Sequence, residues 1–408
     1  MHILIIAQYF PPDMGGGATR AYNIAKGLTL NKCKVTVITA HPHYPHGNIP
    51  KKYRWKPLVI EQKENIKIIR TFVPPLPSKG LTNRLILFLT FIITSLLAIP
   101  LIRKIDIIWA ANPNILSIIP ALVYATVKKC PITLNLDDPW PEELYNLNLI
   151  KKGTLPSKIA ETLASLAYHK AKIITPISPG YTKIITQKYK INPNKIHVIR
   201  AGVDTNKFKP IKTPKNNNKF TILYTGAFSI AYDFDQILKA AKILQNKDPE
   251  IQFIIQGGGE LAQHIKNKTK TMNLKNVKII DKILSREEVA KLLNQADALI
   301  LPLKNFGKPY LGISSKLYEY QAVAKPIICC AQGQPAEYVK ETKSGIIVKP
   351  GDHKALAKAI FHLRDNREIA EKLGENGRKY VEDKLSIEKI GLQMKRVFET
   401  LLMYKTSL

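Results

Sequence analysis

The sequence is poor in cysteine, and what it has does not form a metal-binding pattern. Its four cysteines, Cys33, Cys130, Cys329 and Cys330, lack the paired spacings of zinc sites, and the last two lie in an apolar, strand-like run. We therefore expect buried, reduced thiols and a reducing compartment. The opening residues MHILIIAQYF have neither a basic stretch nor a cleavage site, so we expect no signal peptide.

Acidic residues are also scarce, with 31 against 62 lysines and arginines in 408 residues, a formal net charge of +31. The excess is spread along the chain and is densest over residues 51–104. A solvated, lysine-rich surface explains much of it, and an anionic partner such as nucleic acid, lipid head groups or a phosphorylated substrate is the alternative. The sequence has no helix-turn-helix, zinc or aromatic-platform pattern, so a nucleic acid partner is not expected.

The chain is long enough for two domains, and short apolar runs alternate with helical patterns along it. This alternation predicts parallel α/β sheets. A polar segment, Lys209–Phe220, is interpreted as a linker, because the pattern restarts after it with FTILYTGAF, IQFIIQGGG, VKIIDKI, ALILPL, KPIICCA and GIIVKPGD. In the first half, we predict strands at His2–Ala7, Lys34–Thr39, Ile66–Thr71, Ile107–Ala110, Ile132–Leu136 and Ile173–Pro176, with a helix at Thr19–Leu30.

These patterns predict two Rossmann-like α/β domains at residues 1–205 and 206–385. Residues 386–408 belong to a final helix, over about Arg367–Tyr404, that is expected to cross back to the first domain.

One segment, Leu85–Ile102, has 18 residues without a charge and is flanked by Lys79, Arg84, Arg103 and Lys104. Its length is near the minimum for a membrane-spanning helix. A span would place parts of one α/β domain on opposite sides of a membrane. We therefore favour a helix on the bilayer interface, with its basic flanks on anionic head groups, over a core helix or a true span.

Glycines follow predicted strands in both halves of the chain. Gly15, Gly16 and Gly17 lie between the first strand and the first helix, where backbone N–H groups can surround an anion. In the second half, Gly226 and Gly257 end two strands. Each of these glycines could also simply form a tight turn after its strand. Taken together, however, they predict ligand binding at the carboxyl edges of the sheets.

The stretch SSKLYE places Ser314, Ser315 and Lys316 at the start of a predicted helix, with Glu319 one turn further. A serine cap would leave first-turn N–H groups directed at a diphosphate, and Lys316 would add a positive charge. A carboxylate such as that of Glu319 suits the vicinal diol of a ribose. The pattern therefore indicates a nucleotide diphosphate site, although an ordinary capped helix with a lysine–glutamate surface pair fits it equally well.

Taken together, the chain resembles the retaining glycosyltransferases of family 4, which have the GT-B fold. The resemblance covers nearly the whole length through YFPPDMGGGATRAYNIAKGL, DDPWPEE, ISPGYTKII, IRAGVDTNKFKP, YTGAF, IIQGGGEL, SSKLYEYQAVAKPII and GIIVKPGD. It implies two Rossmann-like domains facing across a cleft. The segments DDPWPE and SSKLYEY are most similar to those of one branch of the family. This branch transfers N-acetylamino sugars, such as N-acetylfucosamine, to surface polysaccharides and lipid-linked glycans.

The resemblance also implies roles for single residues. Glu319 matches the second glutamate of the family's E-x7-E motif, which binds the ribose, whereas Leu311 stands where the first glutamate would be. The arginine and lysine that often follow the TG strand are absent from GAFSIAYDFD, and Lys316 is the candidate to replace part of that charge. Gly16 and Gly17 match the loop that faces the donor phosphate and the acceptor.

Asp138 matches a polar position that approaches the donor sugar, and a plain turn residue before proline is the alternative for it. Asp137 is an equal rival for this role. The histidines of HPHYPHG are interpreted as part of a loop over the acceptor cleft rather than as metal ligands. Family members need no metal, so no metal or cofactor is expected. The implied chemistry is a front-face substitution in which the leaving diphosphate helps to deprotonate the acceptor.

The expected function is therefore transfer of a sugar, N-acetylated hexosamine in type, from a UDP- or GDP-sugar to a lipid-linked saccharide or polysaccharide precursor. The basic and apolar segments predict a peripheral or monotopic protein on the cytoplasmic face of the membrane. Two alternatives stay open. One is a catalytically degenerate, nucleotide-binding scaffold, and the other is a nucleotide-sugar 2-epimerase on the same fold.

Overall fold

A computed structural model describes residues 1–112, 115–146, 150–211 and 219–406 of the protein. The chain divides into two compact units. The first unit comprises Met1–Gly202 and Ile387–Leu408, and the second comprises Val203–Ser386. Most of the predicted linker Lys209–Phe220 lies outside the described residues. Each unit is built on a largely parallel sheet with helices on it, which confirms the predicted α/β fold class.

The sheet of the first unit has the strand order β3-β4-β2-β1-β5-β6-β7. Neighbouring strands pair in parallel, except that β3 pairs with β4 in the antiparallel direction at the edge. Its strands are β1 (His2–Ile6), β2 (Lys34–Ala40), β3 (Leu58–Lys63), β4 (Ile66–Thr71), β5 (Ile107–Asn112), β6 (Ile132–Leu136) and β7 (Ile173–Pro176).

Strand β3 is an antiparallel edge strand that the sequence analysis did not predict. It is joined to β4 by the two residues Glu64 and Asn65, which have positive φ angles of 48° and 64°. Such a two-residue turn matches the twist of a hairpin, but it is usually signalled by a glycine, which is missing here. The strand itself is polar and mostly exposed, so it lacks the apolar run that marked its neighbours.

Helices cover the sheet of the first unit, and the first of them begins three residues earlier than predicted. The helices before residue 203 are α1 (Gly16–Leu30), α2 (Leu81–Leu96), α3 (Ile118–Lys128), α4 (Glu142–Asn146), α5 (Leu155–Lys170) and α6 (Gly180–Tyr189).

Helix α2 corrects the prediction of one apolar helix over Leu85–Ile102. The helix ends at Leu96, and a 3₁₀ turn follows at Ile99–Leu101, where Pro100 prevents a regular continuation. Leu87 and Phe91 are fully buried in the core of the unit, so α2 is also a core helix on one side. Among the described residues, we find no helix with the length and apolar character needed to cross a membrane.

The second unit repeats the architecture with the strand order β10-β9-β8-β11-β12-β13, all parallel. Its strands are β8 (Phe220–Ala227), β9 (Ile251–Gly258), β10 (Val277–Asp281), β11 (Ala298–Pro302), β12 (Ile327–Cys330) and β13 (Gly345–Val348). Its helices are α7 (Phe234–Lys247), α8 (Ala262–Thr271), α9 (Arg286–Gln295), α10 (Lys316–Ala322), α11 (Gln334–Glu341), α12 (His353–Asp365) and α13 (Arg367–Tyr380).

The C-terminal part of the chain forms two helices, not the single helix predicted over Arg367–Tyr404. After α13, a π-helical turn and an extended Ser386 precede α14 (Ile387–Thr406). Helix α14 packs on α1 of the first unit through two glycines, Gly27 and Gly391, whose backbones touch. A side chain at either position would overlap the backbone of the other helix, so glycine is required for this close approach.

The four cysteines are free and buried, as predicted. Burial raises the pKa of the Cys329 thiol to about 12, because a thiolate would lose its hydration there. The thiol of Cys329 therefore stays neutral and serves as a small apolar group of the core.

Candidate functional site

The second unit brings Gly226, Gly257 and Lys316 together at the carboxyl ends of β8 and β9. Gly226 and Gly257 are paired in register, and both have positive φ angles, 143° and 152°. A Cβ atom at Gly226 would overlap Cε and Nζ of Lys316, and one at Gly257 would overlap the carbonyl oxygen of Gly226. Gly226 thus leaves the space in which the lysine side chain lies, and Gly257 allows the backbone of Gly226 to approach closely.

Lys316 is the first residue of α10, and its ammonium group lies against two aromatic rings. Its Nζ is 5.3 Å from the ring centroid of Tyr232 and 6.0 Å from that of Tyr224. The aromatic faces favour the positive charge and hold it beside the strand end. This position, at the carboxyl edge of a parallel sheet, is where open α/β folds bind ligands.

The serine cap predicted for this helix is not formed through a side chain. Ser315 occupies the N-cap position with helical backbone angles and makes no side-chain hydrogen bond to the first turn. Instead, the carbonyl oxygens of Ser314 and Ser315 accept hydrogen bonds from the N–H groups of Leu317 and Tyr318. Two N–H groups of the first turn therefore already have partners within the chain, and Lys316 is the cationic group that this segment offers to an anion.

Glu319 follows one turn after Lys316 on the same side of α10, as its spacing predicted. Its side chain is only 11% exposed, and its Oε1 accepts a hydrogen bond of 2.7 Å from the guanidinium of Arg286. Arg286 in turn lies over the ring of Phe208, with 4.7 Å between the guanidinium carbon and the ring centroid. One carboxylate oxygen is thus held by an arginine and the other is left to accept further hydrogen bonds.

The glycine loop of the first unit lines a cavity of about 230 Å³ at the start of α1. Gly15 has a φ of 121°, which favours glycine, and a Cβ atom at Gly16 would meet no other atom within 4 Å. Gly16 therefore faces open space, and Gly17 lines the same cavity. The opposite walls are formed by Tyr9, Tyr44 and residues of α2.

A buried carboxylate, Asp13, holds the loop that carries Tyr44. Its Oδ1 accepts hydrogen bonds from the N–H groups of His43 and Tyr44, at 2.8 and 3.0 Å. Burial raises the pKa of Asp13 to about 6, although these two N–H groups oppose the shift. The carboxylate thereby anchors one wall of the cavity.

The histidines of the HPHYPHG segment lie mostly inside the first unit. His41 and His43 are buried, while Tyr44 is partly exposed and reaches the cavity. Burial lowers the pKa of His41 to about 4 and also lowers the pKa of His43, so both rings are neutral at physiological pH. The described residues contain no group of three or more histidine, cysteine or carboxylate side chains arranged to hold a metal ion.

The two aspartates of the DDPWPE segment have different surroundings. Asp137 is buried, accepts a hydrogen bond of 2.8 Å from Asn135 and lies 4.0 Å from the guanidinium of Arg20 in α1. Burial raises its pKa to about 7, and Arg20 opposes that shift. Asp138 is partly exposed, and its Oδ1 accepts a hydrogen bond of 3.3 Å from the hydroxyl of Tyr181.

The structure therefore groups the predicted residues into two sets, one in each unit. Gly226, Gly257, Lys316 and Glu319 lie around the start of α10. In the first unit, Gly16 and Gly17 lie at the start of α1, Asp137 lies beside Arg20 of the same helix, and Asp138 contacts Tyr181. Sequence reasoning missed Arg286. The only signal near it is the capping box of Ser285 and Glu288, which predicts the start of α9 but not the contact of Arg286 with a residue 33 positions away.

Two family models match adjacent parts of the chain. Residues 14–207 match Glycosyltransferase Family 4, and residues 205–380 match Glycosyl transferases group 1. Among curated proteins, the chain is 25% identical over 233 residues to the capsular polysaccharide biosynthesis glycosyltransferase CapM of Staphylococcus aureus. That alignment covers 57% of this chain and 60% of CapM. For another of the curated relatives, the match covers only about half of that relative's own length, 48%.

Solved structures share the fold over almost the whole chain. Sucrose-phosphate synthase from Thermosynechococcus elongatus has a TM-score of 0.75 at 18% identity, covering 99% of this chain and all of that one. Anabaena HepE in complex with UDP and glucose has a TM-score of 0.68 at 15% identity, covering 98% of this chain and all of that one. At these identities the likeness establishes the two-domain GT-B fold and nothing finer.

Proposed function

We propose that this chain, which belongs to the glycosyltransferases of the GT-B fold, transfers a sugar from a nucleotide diphosphate sugar to a saccharide acceptor. The observation that carries the proposal is the arrangement in the second unit. A lysine cation lies in the space left by the strand-end glycine Gly226, and a half-satisfied carboxylate follows one helical turn later. The lysine suits a diphosphate and the carboxylate suits a ribose diol.

In the proposed reaction, the second unit binds the donor. Lys316 contacts the diphosphate and stabilises the negative charge that grows on it as the glycosidic bond breaks. Glu319 accepts hydrogen bonds from the ribose hydroxyls. This charge is supplied by the chain itself, so we propose that transfer needs no divalent metal.

The stereochemical course and the donor sugar follow from the family resemblance. We propose a front-face substitution with retention, in which the leaving phosphate oxygen accepts the proton of the acceptor hydroxyl. Asp138, the more accessible of the two aspartates, orients the donor sugar or assists the acceptor hydroxyl, whereas Asp137 serves to hold Asn135 and Arg20 in place. The segments DDPWPE and SSKLYEY support an N-acetylated hexosamine as the transferred group, and the UDP bound by HepE supports a uridine nucleotide.

We further propose that the first unit binds a membrane-linked acceptor at the cytoplasmic face. Leu85, Leu89 and Ile93 of α2 are 48%, 49% and 67% exposed, which is unusual for such large apolar side chains. They are four residues apart and form one stripe on the helix. The capsular role of CapM supports a polysaccharide precursor as the acceptor.

The proposal is tested with the purified full-length chain and a panel of UDP- and GDP-sugars in the presence of EDTA. We expect a UDP-N-acetylhexosamine to bind, and both Lys316→Ala and Glu319→Ala to weaken binding about 10- to 100-fold, the value of a charge-assisted hydrogen bond. Lys308→Ala, which removes an exposed lysine from a nearby loop, is the control and should change nothing.

The same assay separates the other candidate functions. Release of UDP on addition of a lipid-linked acceptor marks a transferase, and retained binding without turnover marks a scaffold. Conversion of the free nucleotide sugar into its C2 epimer, without an acceptor, marks an epimerase. Binding that is unchanged in both variants would overturn the site at α10.

A further inference from the structure

Helix α2 presents two different faces, and one of them borders the cavity at the glycine loop. Arg84 and Phe88, four residues apart, line the cavity opposite Gly16. Leu85 and Leu89, the next residue after each, belong to the exposed apolar stripe. On a helix, positions one residue apart are about 100° apart around the axis, so the cavity and the stripe are neighbouring faces of one helix.

The cavity itself combines a cation with aromatic walls. The Nε of Arg84 donates a hydrogen bond of 3.0 Å to the carbonyl oxygen of Ser78, which fixes the direction of the side chain. The rings of Tyr9 and Tyr44 stand edge to face, with 5.1 Å between their centroids. Burial raises the pKa of Tyr9, so its phenol stays neutral and adds no negative charge to the cavity.

The part of the chain around α2 is depleted in negative charge, although the buried carboxylate of Asp13 lies behind the Tyr44 wall of the cavity. From residue 65 to residue 136, the sequence contains one acidic residue, Asp106, against eight lysines and arginines. Beyond the end of α2, Leu97 and Leu101 are also 51% and 39% exposed. A cationic cavity next to an apolar stripe is complementary to an amphiphile with an anionic head.

We propose that this cavity binds the phosphate head of a lipid-linked acceptor, with the guanidinium of Arg84 on the phosphate and the hydrocarbon chain leaving along the Leu85–Leu89–Ile93 stripe. This inference rests on the proposed function, because it names the chemical class of the acceptor. The guanidinium forms paired hydrogen bonds with phosphate oxygens. The aromatic walls contact the first sugar, and the stripe places the head at the membrane surface.

The test measures binding of three probes to the full-length chain by titration calorimetry: geranyl diphosphate, geraniol and inorganic diphosphate. We compare the wild type with Arg84→Gln, Arg84→Lys, Arg103→Gln and Lys316→Ala. Arg103 is the matched control, because it is an exposed arginine at the other end of the same apolar segment and does not line the cavity.

We expect Arg84→Gln to raise the dissociation constant of geranyl diphosphate at least tenfold, with Arg84→Lys restoring only part of the affinity, because an ammonium group keeps the charge but not the paired hydrogen bonds. Arg103→Gln and Lys316→Ala should change it less than threefold. Geranyl diphosphate should bind more tightly than inorganic diphosphate, because only the former also covers the apolar stripe, and geraniol should be insensitive to Arg84.

Three results would overturn the inference. Equal losses in Arg84→Gln and Arg103→Gln would indicate a diffuse basic surface, and dependence on Lys316 would place the probe in the second unit. Equal affinity for inorganic and geranyl diphosphate would exclude a lipid-linked ligand. UDP binding is measured on the same variants and depends on Glu319, not on Arg84, so the failure of this inference is distinguishable from the failure of the proposed function.

Discussion

The guanidinium of Arg286 donates a 2.7 Å hydrogen bond to Oε1 of Glu319, at the place where the sequence predicts a ribose site. The arginine is 43% exposed while the glutamate is 11% exposed, so the pair is accessible mainly from the side of Arg286. Arg286 holds the carboxylate in one orientation. It leaves Oε2 as the acceptor for a ribose diol.

The first prediction concerns this carboxylate. If Glu319 binds the ribose, the wild type should prefer UDP to 2′-deoxy-UDP, and Glu319→Ala should remove that preference by weakening the binding of UDP alone. Arg286→Gln should reduce the preference severalfold, because Glu319 loses the partner that orients it. The measurement is the ratio of the two dissociation constants in each variant.

The comparison for this prediction is Arg286→Lys, which keeps the positive charge but not the planar guanidinium over Phe208 and should retain part of the preference. A preference for UDP that persists undiminished in Glu319→Ala would show that another group contacts the 2′-hydroxyl.

The second prediction concerns Gly226. A methyl group in Gly226→Ala would occupy the position of the Lys316 side chain, so the affinity for the nucleotide sugar should fall about tenfold. In a Lys316→Ala background the same substitution should lower the affinity much less, because the lysine side chain that it displaces is already absent. Dissociation constants of the four proteins in this double-mutant cycle give the coupling.

Gly307→Ala is the matched control for backbone strain. Gly307 also has a positive φ, 74°, but a Cβ atom there would meet nothing within 4 Å. If Gly307→Ala weakened the binding as much as Gly226→Ala, or if the effects of Gly226→Ala and Lys316→Ala were additive, the contact with Lys316 would not be the cause.

The third prediction concerns the packing of α14 on α1. In Gly27→Ala the new methyl group would overlap the carbonyl oxygen of Ile387, so the two helices must separate. Overpacking of this kind costs roughly 1–3 kcal/mol, and a backbone neighbour that cannot rotate away favours the upper end. We expect a lower melting temperature by calorimetry, whereas Gly16→Ala, in the first turn of the same helix with open space around it, should leave it unchanged.

The fourth prediction concerns the pH dependence of stability. The pKa of Asp13 is raised by burial to about 6 in the folded protein, from its ordinary value of 3.8. The folded state therefore holds this proton more tightly than the unfolded state does, and Asp13 makes the protein less stable as the pH rises from about 4 to 6. Between pH 4.5 and pH 7.5, Asp13 should therefore lower the free energy of unfolding by on the order of 2 kcal/mol.

Asp13→Asn should remove this contribution, because an amide does not titrate, while its oxygen can still accept the hydrogen bonds from His43 and Tyr44. The measurement is the free energy of unfolding of the wild type and of Asp13→Asn, obtained by urea unfolding at pH 4.5 and at pH 7.5. The stability of the wild type relative to the variant should decline between the two values, and a constant difference would contradict the assigned pKa.

Much of the fold could be predicted because it depends on local patterns. Buried parallel strands are continuous apolar runs, so β4, β6 and β7 begin and end at the predicted residues, Ile66–Thr71, Ile132–Leu136 and Ile173–Pro176. Strand β3 was missed because an edge strand is half exposed and needs no such run. The break at Ser386 was missed because helical periodicity continues on both sides of it.

The candidate site divides in the same way. The spacing of Lys316 and Glu319 is local, and one helical turn puts them on one side of α10 wherever that helix lies. The role of Arg286 depends on the packing of α9 beside α10, and the space for Lys316 depends on the pairing of β8 with β9. Neither of these two arrangements can be predicted from the spacing of residues along the sequence.

The sequence by itself determined the two α/β domains, the basic character of the chain and the order of cation and carboxylate in SSKLYE, because periodicity, composition and spacing are properties of neighbours along the chain. The tertiary structure alone decided that α14 joins α1 through Gly27 and Gly391, that Asp137 is buried while Asp138 is accessible, and that Arg84 borders both a cavity and an apolar stripe. The physical reason is that burial and contact arise from residues far apart in the chain, whose meeting depends on how whole helices and strands pack.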